Sequence, residues 1–151
     1  MTGEQVLIVE DNKQLVEILQ DMLEVKGYQV LKAEDGVEAL EVMEQGRPDL
    51  IVADIMMPRM DGYTFFEKVR QRSDWVPIPF IFLTAKSEKQ DYIKGKKMGA
   101  EEYLTKPFDP QDLLLMVETH LARAREIREA SQVEFGHLKQ RIVNMLSHEL
   151  R

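Results

Sequence analysis

The sequence predicts an α/β domain, a doubly wound five-stranded parallel sheet, continued by an extended C-terminal helix. Three observations carry this reading. Short apolar runs alternate with stretches of helical spacing, five of each, the pattern of strands joined by helical crossovers. Several of those runs are apolar throughout rather than alternating, as expected of strands covered on both faces. Four of them end in chemistry-bearing residues: Glu10-Asp11, Asp54, Thr84 and Lys106-Pro107. A parallel sheet places its strand carboxyl ends together, so these groups would meet along one edge.

The elements follow in order. Gln5–Val9 is a short apolar run that reads as a buried strand. Asn12 can cap a helix in which Leu15, Ile18, Leu19, Met22 and Leu23 recur at helical spacing, and Gly27 ends it. Tyr28–Ala33 reads as the second strand. Val37, Leu40 and Met43 form a helical stripe that Gly46 stops. Asp49–Asp54 is the third strand. Met56 to Gly62 is a loop, given Pro58 and the Asp61-Gly62 pair, and a helix is expected from there through Arg72. Ile78–Thr84 is the fourth strand, Ser87 can cap a helix that Gly99 ends, and Glu102–Thr105 is a short fifth strand.

The last segment differs. Asp109 can cap a helix, Pro110 suits its first position and Asp112 lies in its first turn. Beyond Pro110 there is no proline and one glycine, Gly136. Val117, Leu121, Ala124, Arg128, Ser131, Phe135, Leu138, Ile142, Met145 and Glu149 keep alternating steps of four and three, a heptad register that is weak at Arg128 and Ser131. About forty residues of helix would run roughly 60 Å, too long to pack on one small domain. From Arg123 onward six Lys/Arg face four Asp/Glu, a net +2, which leaves −9 of the chain's −7 to the first 122 residues. The expected division is a body over about residues 4–122 and a helical extension over 123–151.

Composition narrows the function. The chain has 151 residues, 44% hydrophobic and 31% charged, enough for one domain with a core plus an appendage. Net charge −7 argues against nucleic acid as a direct partner. The absence of cysteine excludes disulfides, thiolate catalysis and zinc-thiolate sites. The first residues lack a basic region followed by an apolar stretch, and no apolar run is long enough to span a bilayer, so a cytoplasmic location without membrane contact is expected.

At the shared edge Asp54 is the candidate nucleophile, since a carboxylate can carry a phosphoryl group as an acyl phosphate. Asp11 and Asp54, with Glu10 acting through water, would bind Mg²⁺, an ion that prefers a few carboxylates plus waters and substrate oxygens. The backbone carbonyl of Met56 is a further candidate ligand. Such an ion would relieve carboxylate repulsion of about 4 kcal/mol per pair at ~4 Å and an effective dielectric of about 20. Lys106 offers a point charge and Thr84 a hydroxyl to a phosphate. Met56 and Lys86, two residues beyond Asp54 and Thr84, would flank the site. An aspartyl-phosphate hydrolase of the haloacid-dehalogenase type would share the fold and the nucleophile, but normally carries a second aspartate where this chain has Met56.

The stretches VLIVEDN, DLIVADIMMPRMDG, PFIFLTAK and GAEEYLTKPF resemble the receiver domain of response regulators in two-component signalling, over about residues 4–122. The resemblance implies a flavodoxin-like sheet of order 2-1-3-4-5. It implies Asp54 as phosphoacceptor, Glu10 and Asp11 as the acidic pair binding Mg²⁺, Thr84 and Lys106 as phosphate contacts, and a phosphohistidine on a kinase or phosphotransfer protein as donor. It further implies a cis peptide at Lys106-Pro107, and Tyr103 as an aromatic switch coupled to Thr84. The ending IVNMLSHELR resembles the start of the dimerisation and phosphotransfer domain of histidine kinases. That implies His148 as a second phosphoacceptor, beside which the adjacent acid Glu149 could act as general base on the imidazole. The heptad from Val117 to Glu149 predicts a parallel homodimer through the helix. No glycine-rich nucleotide-binding region is present, so the chain reads as the receiver-first part of a longer hybrid histidine kinase. The alternative is a response regulator acting through protein contacts, with the tail as a dimerisation stalk.

Overall fold

The computed structural model describes residues 3–85 and 102–149, apart from the side chains of His148 and Glu149. The elements are β1 (Gln5–Val9), α1 (Lys13–Val25), β2 (Gln29–Ala33), α2 (Gly36–Gln45), β3 (Leu50–Asp54), α3 (Gly62–Arg70), β4 (Phe80–Ala85), β5 (Glu102–Lys106) and a fourth described helix, α4 (Pro110–Glu149). The helix expected between Ser87 and Gly99, and Lys86, lie outside the described residues. All strand pairs are parallel and the order is β2-β1-β3-β4-β5.

Local chemistry sets the ends of these elements. Asn12 caps α1 by accepting from the Gln14 and Leu15 amides, and Gly27 closes it at φ 92°, where a side chain would be strained. The Tyr28 amide then returns to the Leu23 carbonyl, and β2 begins at Gln29. Asp35, Asp61 and Asp109 serve the N-termini of α2, α3 and α4 in the same way. Four expected strand bounds move by one residue, at the starts of β2 and β3 and the ends of β4 and β5, and two bounds move by two residues. α3 ends at Arg70 rather than Arg72, because the chain then turns and the Trp75 amide donates to the Arg72 carbonyl. β4 begins at Phe80 rather than Ile78, because the Ile78 amide is committed to the Trp75 carbonyl and Pro79 has no amide to give a ladder.

The sheet is packed on both faces. One face holds Leu7, Val9, Ile51, Ala53, Phe80, Phe82 and Tyr103 against α2 and α3, with Phe66, Phe80 and Phe82 in tilted and edge contacts at 4.8–5.6 Å. The other holds Val6, Ile8, Leu50, Val52, Ile81 and Leu83 against α1 and the first three turns of α4. β1, β3 and β4 are buried almost throughout, as their unbroken apolar runs require, while β2 and β5 at the edges are partly exposed.

α4 runs 40 residues without a break, through residue 122 and through Gly136. Its heptad register needs a correction. Val117 and Leu121, expected to begin a dimer seam, are fully buried in the body's own core with Leu113 and Leu114. Steps of three and four serve a helix lying on a sheet as well as they serve a coiled coil. Arg128 and Ser131 are exposed and polar, so a continuous apolar stripe starts only at Phe135. As the helix leaves the body, Arg125 and Arg128 reach Glu4 just before β1 at 3.0 and 3.8 Å.

Candidate phosphoacceptor site

Strand register brings the site residues together. Val9 pairs with Ala53, Asp54 with Leu83 and Ala85 with Lys106, so the ends of β1, β3, β4 and β5 lie side by side. Alternation then assigns faces. Glu10, Asp54 and Lys106 share the parity of Ile8, Val52 and Leu104, residues of the α1/α4 face. Thr84 shares the parity of Phe82 on the α2/α3 face, and Phe82 pairs with Tyr103. Thr84 and Tyr103 therefore stand on one face, two residues apart in register.

Lys106 Nζ donates to Glu10 Oε1 at 2.5 Å and to Asp54 Oδ2 at 3.1 Å. Glu10 and Asp54 are buried, whereas Asp11 is exposed. Glu10 Oε2 accepts from the Asn12 amide, and Asp54 Oδ1 accepts from the Met56 amide at 3.4 Å. Burial pushes the Glu10 carboxyl above its ordinary range. The Lys106 hydrogen bond opposes this without cancelling it, and the Asp54 charge adds to the rise. Burial also disfavours the Lys106 ammonium, but the Glu10 hydrogen bond and the two neighbouring carboxylates outweigh it and hold its pKa above the usual lysine value.

One oxygen from each of Glu10, Asp11 and Asp54 lies within 4.8 Å of the others. An all-oxygen, carboxylate-rich donor set with one exposed member fits a hard, partly hydrated divalent cation such as Mg²⁺. Met56 lies two residues beyond Asp54 in the loop to α3, its side chain exposed. That loop closes where the Gly62 amide donates to the Ile55 carbonyl at 2.8 Å. A Cβ on Gly62 would stand 2.4 Å from the Asp54 carbonyl oxygen, so only glycine allows this approach.

Thr84 is buried, and the Tyr103 ring lies inward, 5.4 Å from the Phe82 ring. The Lys106-Pro107 peptide is cis. His148 falls in the last turn of α4, far along the chain from the sheet edge, and its side chain and that of Glu149 are outside the described ones. One pair near the site escaped the sequence reading. Arg59 binds Asp35 through two hydrogen bonds at 2.8 and 3.1 Å. The Asp35-Gly36 step before a helical stripe signalled the cap but not the partner.

The family model of the response regulator receiver domain matches residues 6–118. The chain belongs to the response regulator receiver domain family. Its class of activity is two-component phosphorelay signalling, in which receiver domains take phosphate from histidine kinases or phosphotransfer proteins and generally bind Mg²⁺ in an acidic pocket. The alkaline phosphatase synthesis transcriptional regulatory protein PhoP of Bacillus subtilis is 37% identical over 141 residues, 93% of this chain and 58% of PhoP. The DNA-binding dual master transcriptional regulator RpaA of Synechocystis is 37% identical over 128 residues, 85% of this chain and 53% of RpaA. The chain thus spans little more than half the length of these relatives. Among solved structures, the signal receiver domain of a signal transduction histidine kinase from Syntrophus aciditrophicus is 36% identical with a TM-score of 0.74, covering 79% of this chain and 90% of that one. Among the described residues, no helix of this receiver is long and apolar enough to cross a membrane.

Proposed function

We propose that this receiver is a reversible switch operated by phosphorylation of Asp54, within a body over about residues 4–122. The observation that carries the reading is the convergence of three carboxylates within 4.8 Å, with Lys106 bonded to two of them. An Asp54 carboxylate oxygen attacks the phosphorus of a phosphohistidine. The P–N bond breaks, and the imidazole leaves with the electron pair and takes up a proton. Mg²⁺ held by Glu10, Asp11, Asp54 and the Met56 carbonyl would supply charge neutralisation for the transferring group. Lys106 is placed to follow the new phosphate charge and Thr84 to donate its hydroxyl. Movement of Thr84 toward the phosphate opens space on the face it shares with Tyr103, and repacking there shifts a two-state equilibrium.

The output runs through α4. Phe135, Leu138, Ile142 and Met145 keep heptad steps and are 46–69% exposed, which supports a parallel pairing with a second copy beyond the body. The ending SHELR supports continuation into a histidine kinase dimerisation domain, with His148 as its phosphoacceptor. A second reading, in which α4 is the dimerisation stalk of a response regulator, is favoured by the transcriptional regulators among the relatives. DNA contact would then belong to a region outside the aligned residues.

The test of the switch is exposure of the chain to a small phosphodonor with Mg²⁺. One phosphate should be incorporated, and Asp54→Asn should incorporate none; equal labelling of that variant would sink the assignment. The two outputs separate in a longer chain supplied with ATP, where the kinase reading requires that His148→Ala abolish labelling at that position. No labelling of the unsubstituted longer chain from ATP would leave the regulator reading.

A further inference from the structure

The loop between Asp54 and α3 is tied down on the side away from Lys106. It carries Arg59, whose φ of 62° lies in the left-handed region that non-glycine residues adopt only under strain. The guanidinium of Arg59 donates in bidentate fashion to Asp35, Nε to Oδ2 at 2.8 Å and an Nη to Oδ1 at 3.1 Å. Asp35 is itself fixed, being 5% exposed and accepting the Glu38 amide at 2.9 Å as the cap of α2. The next residues repeat the contact. Met60 lies on Gly36 so closely that a Cβ there would come within 2.9 Å of the Met60 side chain. Asp35 follows the end of β2, where the Ala33 carbonyl accepts the Glu10 amide, so this anchor belongs to the same sheet edge as the acidic pair.

We propose that the Asp35–Arg59 pair is a positioning latch for the divalent cation. By holding the loop against the start of α2, it sets where the Met56 carbonyl stands relative to Asp11 and Asp54. Cation affinity then depends on two residues that do not touch the ion. The latch rests on the reading of Glu10, Asp11, Asp54 and Met56 as the metal site.

Three variants separate positioning from mere stabilisation. Arg59→Gly removes the guanidinium while accommodating the positive φ. Asp35→Asn keeps a helix-capping oxygen but loses the charge. Arg59→Lys keeps the charge but not the fork. Calorimetric titration of the full chain with Mg²⁺, beside thermal unfolding without it, should show about a tenfold loss of affinity in Arg59→Gly and in Asp35→Asn. The double variant should lose no more than either single one, and Arg59→Lys should lose less. Arg59→Gly should melt close to the wild type, since relief of backbone strain offsets the lost pair. Wild-type affinity in both single variants would overturn the latch while leaving the site standing. So would a loss confined to Asp35→Asn, which would assign the effect to the α2 cap. A wild-type chain that fails to bind Mg²⁺ would instead overturn the metal site, and the latch with it.

Discussion

The inner turns of α4 bury Leu113, Leu114, Val117 and Leu121 to 0–4% exposure, whereas its outer turns leave Phe135, Leu138, Ile142 and Met145 at 46–69%. The helix and its spacing are the same, and the difference is the sheet beneath the first three turns. Among the described residues, the carboxyl edge of that sheet has an excess of another kind, three carboxylates gathered around the Lys106 ammonium. One excess is electrostatic and suits a small cation and a phosphoryl group. The other is hydrophobic and suits a protein surface. The continuous helix α4, tied to the body by Glu4 with Arg125 and Arg128, connects the two.

The contrast within α4 breaks most visibly on truncation. Leu121→Ala should destabilise the body by about 2–5 kcal/mol in urea unfolding, because it empties a packed core position. Leu138→Ala should leave the unfolding free energy of the body within about 0.5 kcal/mol and act instead on self-association, measured by sedimentation. A large loss of body stability from Leu138→Ala would mean that the outer turns already pack on the body.

A second prediction sharpens the electrostatic side. Burial raises the Glu10 pKa above its unfolded value near 4.5, so between the two values the folded state holds the extra proton. Stability of the metal-free protein should therefore fall as pH rises through that window. Glu10→Gln should flatten this fall and raise the metal-free melting temperature at neutral pH, while weakening the stabilisation given by Mg²⁺. A lower melting temperature in the variant would mean that the Lys106 pair outweighs burial.

The smallest effect concerns the tail alone. Gly136 sits inside α4 with nothing within 4 Å of an added Cβ. Gly136→Ala should favour the helix by about 1 kcal/mol, read as slower amide exchange around residue 136. Unchanged exchange would place the local opening elsewhere in α4.

Much of the body could be read from the sequence, because buried parallel strands are written as unbroken apolar runs and their last residues carry the chemistry. Glu10, Asp54 and Lys106 converge for that reason. The start of β4 moved by two residues because the turn at Trp75 took the Ile78 amide and Pro79 has none, a tertiary competition that an apolar run does not record. Val117 and Leu121 showed a heptad that the body's own core uses, since 3.5 and 3.6 residue periods are indistinguishable over two turns. The Asp35–Arg59 pair joins loops 24 residues apart, and no local pattern announces such a partner.

The most direct measurement is chemical location of the phosphate. After treatment with a small phosphodonor and Mg²⁺, borohydride should reduce the acyl phosphate, and peptide mapping should find homoserine at position 54 alone. Reduction at another carboxylate, with Asp54 intact, would contradict the account of this edge as a switch built around Asp54.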